Sequence, residues 1–302
     1  MKFHGVLFFP VTPFTADGSL DEERLAQHIE SGVAAGAGGV FVACGTGEFH
    51  ALTADEIERA TRVAVTTTAG RVPVLAAAGG PPPVARDHAA RVERAGADGI
   101  LLLPPYLVSA PQQGLVRYVE EVTAASELPV IFYQRGTARL TARTAAEIAA
   151  LPKVAGLKDG VGDIERMHRV VRAVRAVPGT EGFQFFNGLP TAEMTAPAYR
   201  GIGVELYSSA VFAFAPEIAL AFHRALGEGD EGLVGTLLDE FYGPLVALRD
   251  EVPGYAVSLI KAGVTLRGLD VGGVRAPLVD PAPEHVARLA KLVGHGLEVV
   301  GA

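Results

Sequence analysis

Val154-Ala155-Gly156-Leu157-Lys158-Asp159-Gly160-Val161-Gly162-Asp163 sets a lysine at the carboxyl end of a short apolar run, with glycines closing the run behind it. A run of this length bounded by glycine reads as a strand buried on both faces. Only five of the 26 basic residues are lysines, so a lysine ending such a strand is not routine surface charge. In a parallel barrel, side chains at the carboxyl ends of strands point into the active-site mouth. An amine with the ordinary pKa of about 10.4 is neutral in only on the order of one molecule in a thousand at pH 7. Burial penalises the ammonium and can bring the pKa toward about 7–8, which suits the amine to Schiff-base chemistry. The same residue also reads as an ion-pair partner of Asp159 or Asp163, and this stretch alone leaves both readings open.

Working outward, apolar runs of the same kind recur at residues 6–10, 39–44, 72–78, 99–103, 129–133, 183–186 and 203–207. Helical patterns of workable length separate most of them. Leu25, Ile29 and Val33 share one face of a helix over 20–35, and Thr53-Ala54-Asp55-Glu56 reads as a capping box opening the next. Helical spacing continues over 85–95, 112–125, 141–151, 164–177 and 191–200. Strands alternating with helices imply right-handed βαβ units and a parallel sheet. Eight units predict an α/β fold of the (β/α)₈ TIM-barrel type, with a doubly wound sheet as the alternative. The predicted catalytic barrel covers 1–226. A helical extension over 227–302, with helices over 233–248 and 256–267, is expected to pack on the barrel or on a neighbouring subunit. Lys261, in that extension, is expected to have a structural or rim role and not a catalytic one.

Hydrophobic residues make up 49% of the chain and charged residues 20%, which excludes a disordered polymer. No apolar stretch approaches the roughly 20 residues of a membrane helix, and the start of the chain runs directly into an apolar strand without the pattern of a signal peptide. The single cysteine, Cys44, permits no intramolecular disulfide. A cytoplasmic location follows as an expectation. The net charge of −8 argues against a nucleic-acid partner. No His-x-x-His or His-Glu-x-x-His spacing occurs, so no metal is expected.

Every strong chemical candidate closes a predicted strand. After the second comes Cys44-Gly45-Thr46-Gly47-Glu48, a glycine-rich turn whose backbone N–H groups can bind a carboxylate, or which can be only a turn. The fifth ends in Tyr133, a potential proton carrier, followed by Gln134 and Arg135, whose guanidinium can grip a carboxylate. The seventh ends in Asn187-Gly188 and the eighth in Tyr207-Ser208-Ser209, two hydroxyls read as facing the same mouth.

Phe9-Pro10-Val11-Thr12-Pro13-Phe14, Gly45-Thr46-Gly47-Glu48, Tyr133 and Gly156-Leu157-Lys158-Asp159, in this order and spacing, resemble the dihydrodipicolinate synthase/N-acetylneuraminate lyase superfamily. Within it, Gly45-Thr46-Gly47-Glu48-Phe49, the segment Lys158 to Ile164, Gly188-Leu189-Pro190-Thr191-Ala192-Glu193 and the segment Tyr207 to Phe212 look like the 5-dehydro-4-deoxyglucarate dehydratases. The resemblance implies a homotetramer built as a dimer of dimers and Schiff-base chemistry on a small keto sugar acid, with no cofactor beyond the imine itself. It makes Lys158 the imine former and Tyr133 the proton-transfer group. It gives the Gly45-Thr46-Gly47 turn the carboxylate beside the ketone. A second carboxylate would fall to Ser208, Ser209 or Arg135, with Asn187 also at the substrate. The expected reaction is the decarboxylating dehydration of 5-dehydro-4-deoxy-D-glucarate. An aldolase acting on another 2-keto-3-deoxy sugar acid and a non-catalytic keto-acid binder are the alternatives. Gly45 replaces a threonine of the related synthases, and Leu107 stands where they carry a tyrosine, so the synthase reaction itself is not expected.

Overall fold

Parallel strands β1 (Leu7–Phe8), β2 (Gly39–Val42), β3 (Val74–Ala78), β4 (Gly99–Leu102), β5 (Val130–Gln134), β6 (Val154–Asp159), β7 (Gln184–Asn187) and β8 (Leu206–Ser209) close into a barrel in sequence order. The computed structural model describes residues 2–105 and 108–302; the departure read at Leu107 lies outside them. Around the strands run α1 (Glu22–Ala34), α2 (Ala54–Thr68), α3 (Pro82–Arg94), α4 (Gln112–Thr123), α5 (Ala142–Ala149), α6 (Ile164–Arg175) and α7 (Ala196–Gly201). The doubly wound alternative falls because β1 pairs with β8 and leaves no open edge in the sheet.

Local chemistry explains the punctuation. Thr53 and Glu56 form the capping box of α2, and Asp21, Thr141 and Asp163 cap α1, α5 and α6 through their side chains. Gly36 and Gly96, at φ of +102° and +90°, turn the chain out of α1 and α3 in a conformation that side chains resist.

The strand interior is aromatic at its centre. Phe9 stacks on Phe41 at 4.6 Å, and Phe3 packs on both Phe41 and Phe186. These rings form a floor beneath the carboxyl ends of the strands. Register then decides what stands on it: Tyr133 of β5 pairs with Lys158 of β6, and Lys158 with Phe186 of β7.

The eighth helix completes the ring around the barrel, and the extension that follows it is helical and joins the barrel wall. α8 (Pro216–Glu228) is followed after Gly229 and Asp230 by α9 (Glu231–Leu237), a π-helical turn at Leu238–Tyr242, α10 (Gly243–Asp250), α11 (Tyr255–Leu266) and α12 (Pro283–Val300). The helix expected over 233–248 is therefore broken by the π turn. Pro244 has no N–H to give to a carbonyl one turn earlier, so the ladder widens just before it. α12 has no counterpart among the predicted helices. It packs on α8 so closely that a β-carbon on Gly296 would come within 2.6 Å of Ile218 and Phe241.

The last predicted strand shifts as well. Gly203, at φ +83°, donates to Arg200 in the turn leaving α7, so the strand starts at Leu206 instead of 203 and runs to Ser209.

Candidate active site

A cleft of about 920 Å³, its open mouth included, lies over the aromatic floor at the carboxyl ends of the strands. Gly45, Thr46, Tyr133, Arg135, Lys158 and Ser208 all line it. The sequence thus brings six of its nine candidates to one place, from β5, β6, β8 and the turn after β2.

Lys158 is 6% exposed, with Nζ 3.9 Å from the centre of the Phe9 ring and 4.7 Å from that of Tyr133. Among the described residues it has no ion pair. The pairing with Asp159 or Asp163 therefore fails. Successive strand residues face opposite ways, so Asp159 points out of the barrel and accepts from Gln134 Nε2 at 2.8 Å, the Val161 N–H at 3.0 Å and the Tyr199 hydroxyl. Asp163 caps α6. Burial without a carboxylate brings the Lys158 pKa down to about 7, and the Arg135 cation acts in the same direction. Half the amine is then neutral near pH 7. Cys44 itself is buried and its thiol is pushed up to about 12, chiefly by burial, so it is a packed thiol and no nucleophile.

The Tyr133 hydroxyl donates to the Gly188 carbonyl at 2.7 Å. Gly188 is required there: a β-carbon would stand 2.5 Å from Lys158 Cε and 2.9 Å from the Tyr133 ring. Removing one methyl group's worth of chain lets lysine and tyrosine share the space under the cleft.

The turn after β2 is held taut. Ala43 and Glu48, on either side of it, have left-handed backbones at φ 53° and 58°. The N–H groups of Gly45, Thr46 and Gly47 meet no protein acceptor among the described residues, as an anion-binding nest requires. Gly47 is not part of the lining; its carbonyl accepts from Thr12 Oγ1 at 2.6 Å below the turn. A β-carbon on Gly45 would meet nothing within 4 Å, so the missing threonine hydroxyl is not a steric necessity.

The two serines do not face the same mouth. Because β8 extends through both, alternation turns Ser208 to the cleft and Ser209 away from it. Ser209 is fully buried, donates to Glu193 and accepts from the Phe212 N–H. Asn187 is likewise turned outward, and its amide is spent on the Ala192 carbonyl, Thr195 and the Leu189 N–H. Both are scaffold for the loops after β7 and β8.

Arg249 of α10 and Tyr255, Leu259 and Ile260 of α11 were not foreseen as site residues, yet they line the cleft. Nothing local in the sequence marks them, since they reach the site only through packing of the extension across the barrel mouth.

The fold and this lysine–tyrosine site define a class of barrel proteins, and the chain belongs to the dihydrodipicolinate synthetase family, whose model matches residues 2–295. Within that family the chain is 57% identical over 98% of its length to a Streptomyces coelicolor protein named probable 5-dehydro-4-deoxyglucarate dehydratase 1, covering 94% of that protein. It is 56% identical to the protein of the same name in Streptomyces avermitilis, covering 97% of this chain and 93% of that one. A crystal structure of dihydrodipicolinate synthase from Oceanobacillus iheyensis superimposes with a TM-score of 0.89 at 26% identity, covering 97% of this chain and 96% of the other.

Proposed function

We propose that this protein is a Schiff-base-forming, decarboxylating dehydratase that converts 5-dehydro-4-deoxy-D-glucarate to 2,5-dioxopentanoate, water and CO₂. The observation that carries the reading is Lys158: an amine withdrawn from water, with no ion pair among the described residues, whose pKa falls to about 7 beside the Tyr133 ring. The dehydratase names of relatives sharing more than half their residues with this chain support the substrate.

In this mechanism neutral Lys158 attacks the C5 ketone and loses water to form an iminium. The carboxylate beside the ketone lies on the N–H groups of the Gly45-Thr46-Gly47 turn. The iminium acidifies C4; Tyr133 carries that proton to the C3 hydroxyl, which leaves as water. The resulting C3=C4 bond is conjugated with the iminium, so the C1–C2 bond can break with its electrons flowing to nitrogen, and C1 leaves as CO₂. The enol takes a proton at C3 as its hydroxyl loses one, giving the aldehyde at C2; the enamine left on Lys158 takes a proton at C4, and hydrolysis of the iminium so formed frees Lys158. One electron sink serves both cleavages. The assembly proposed with it is a homotetramer.

The test is an assay with 5-dehydro-4-deoxy-D-glucarate that follows CO₂ and 2,5-dioxopentanoate together, in equal amounts. Release of pyruvate without CO₂ would make the protein an aldolase. Borohydride reduction during turnover is expected to leave one adduct, on Lys158.

A further inference from the structure

The cleft carries three cationic side chains, Lys158, Arg135 and Arg249, and no carboxylate among its described lining residues, in a chain whose net charge is −8. Such a concentration of one sign against the overall charge is an anion site. Lys158 is committed to the ketone and the turn after β2 to the neighbouring carboxylate. The two arginines differ in how they are held. Arg135 is exposed at the rim, and its side chain makes no hydrogen bond among the described residues. Arg249 is 18% exposed and braced: Nη1 donates to the Pro190 carbonyl at 3.0 Å and Thr191 Oγ1 at 2.9 Å, and Nε to Asp250 at 2.8 Å. Nη2 has no partner among the described residues. The segment it braces includes Thr191, a β-branched residue at φ 52°, a costly conformation that persists only where surroundings enforce it.

Position favours the same residue. Gly188 touches the Lys158 side chain, and Pro190 lies two residues on, at most about 7 Å further along an extended chain. That span is comparable with the length of a six-carbon acid.

We propose that Arg249, delivered by α10 of the carboxyl-terminal extension, receives the carboxylate distal to the ketone and makes the site select keto diacids over keto monoacids. The inference rests on the keto-acid reading above. A guanidinium already fixed by three acceptors loses little freedom when it binds, which is the condition for selectivity. The charge of that carboxylate migrates to the imine nitrogen as CO₂ leaves. Arg249 therefore favours the bound substrate more than the transition state, and its loss raises KM while leaving kcat equal or higher.

Calorimetry with 2-oxoadipate and 2-oxohexanoate, six-carbon keto acids that differ in the distal group, tests this without turnover. The unmodified protein is expected to prefer the diacid, and Arg249→Met to weaken diacid binding roughly tenfold to a hundredfold with monoacid binding unchanged. Arg249→Lys is expected to fall between them. Borohydride trapping of pyruvate on Lys158 serves as the control for a correctly built site and is expected at the unmodified rate in both variants. An Arg249→Met protein that keeps its preference for the diacid overturns the proposal. So does one in which pyruvate trapping and both affinities fall together, since Arg249 would then only position the segment Gly188 to Thr191. If the unmodified protein traps no pyruvate yet prefers the diacid in an Arg249-dependent way, the Schiff-base reading fails and this inference stands.

Discussion

Lys158 and Lys261 are both withdrawn from water, at 6% and 2% exposure, and both have a phenylalanine ring face at about 4 Å, Phe9 for one and Phe14 for the other. They differ in what else surrounds the nitrogen. Lys261 of α11 donates to Glu48 at 2.9 Å and to the Gly273 carbonyl at 2.6 Å, and Glu48 also accepts from the Arg275 N–H at 2.9 Å. Lys158 has no such partner among the described residues. Burial pulls both pKa values down, but at Lys261 the Glu48 carboxylate pulls back, whereas at Lys158 the Arg135 cation pushes the same way as burial. One buried lysine is a fastener, and the other is the amine that the proposed reaction makes its nucleophile. Burial alone therefore does not make a lysine reactive; burial without a carboxylate does.

The fastener also serves the site. Glu48 ends the turn after β2 in a left-handed conformation, so the Lys261 pair pins that turn to the extension. Arg275 extends the clasp to Glu56, whose carboxyl it holds at about 2, and thus to the capping box of α2.

The largest effect that separates the two lysines is on turnover. Lys158→Met is expected to lower kcat by on the order of 10⁴-fold or more, since no imine forms, while its melting temperature stays equal or rises because an unpaired buried amine is replaced by an apolar chain. Lys158→Arg is expected to be as inactive, the guanidinium remaining protonated. A Lys158→Met protein with substantial turnover would break the comparison at its centre.

Tyr133→Phe comes next, with a kcat lowered by roughly 10²–10⁴-fold if the hydroxyl carries the C4 proton. Pyruvate trapping should survive better than turnover, since it does not need C3 dehydration. Equal loss of both would confine Tyr133 to building the pocket around Lys158.

Lys261→Met should show the inverse pattern to Lys158→Met. Removing one partner of a buried pair leaves the other charge stranded, at a cost of about 3–5 kcal/mol, read from urea unfolding. Glu48→Gln combined with Lys261→Met should recover part of that loss in a double-mutant cycle. If Lys261→Met were as stable as the unmodified protein, the pair would not be the fastener described.

The smallest expected effect is on pH. Imine trapping needs the neutral amine, so its rate should rise through about pH 7 and then level off. Arg135→Gln removes a cation that holds the Lys158 pKa down, so the rising limb should move to higher pH. A limb that stays in place or moves to lower pH would show that Arg135 does not act on Lys158.

Much of this was legible in the linear pattern because it is local. Alternating strands and helices, the Thr53–Glu56 box and a lysine at a strand end are set by residues within a few positions of one another, and they fixed the barrel, its caps and the centre of the site. The errors came where one residue of register matters. The apolar pattern of the eighth strand runs to 207 and reads Ser208 and Ser209 at its end as two hydroxyls facing the same mouth. Extended to Ser209, the strand obeys a period of two and sends them to opposite faces, just as it separates Lys158 from Asp159.

What the sequence by itself determined is thus the alternation that closes a barrel and the position of Lys158, Tyr133 and the Gly45–Thr46 turn at its carboxyl end. Only tertiary structure decided which of the buried lysines is paired. The Glu48–Lys261 contact joins residues 213 positions apart, and Arg249 reaches the Pro190 carbonyl across 59. No periodicity spans such distances. They are set by how α10 and α11 pack over the barrel mouth, and that packing leaves Lys158 with rings for neighbours and no counter-charge among the described residues.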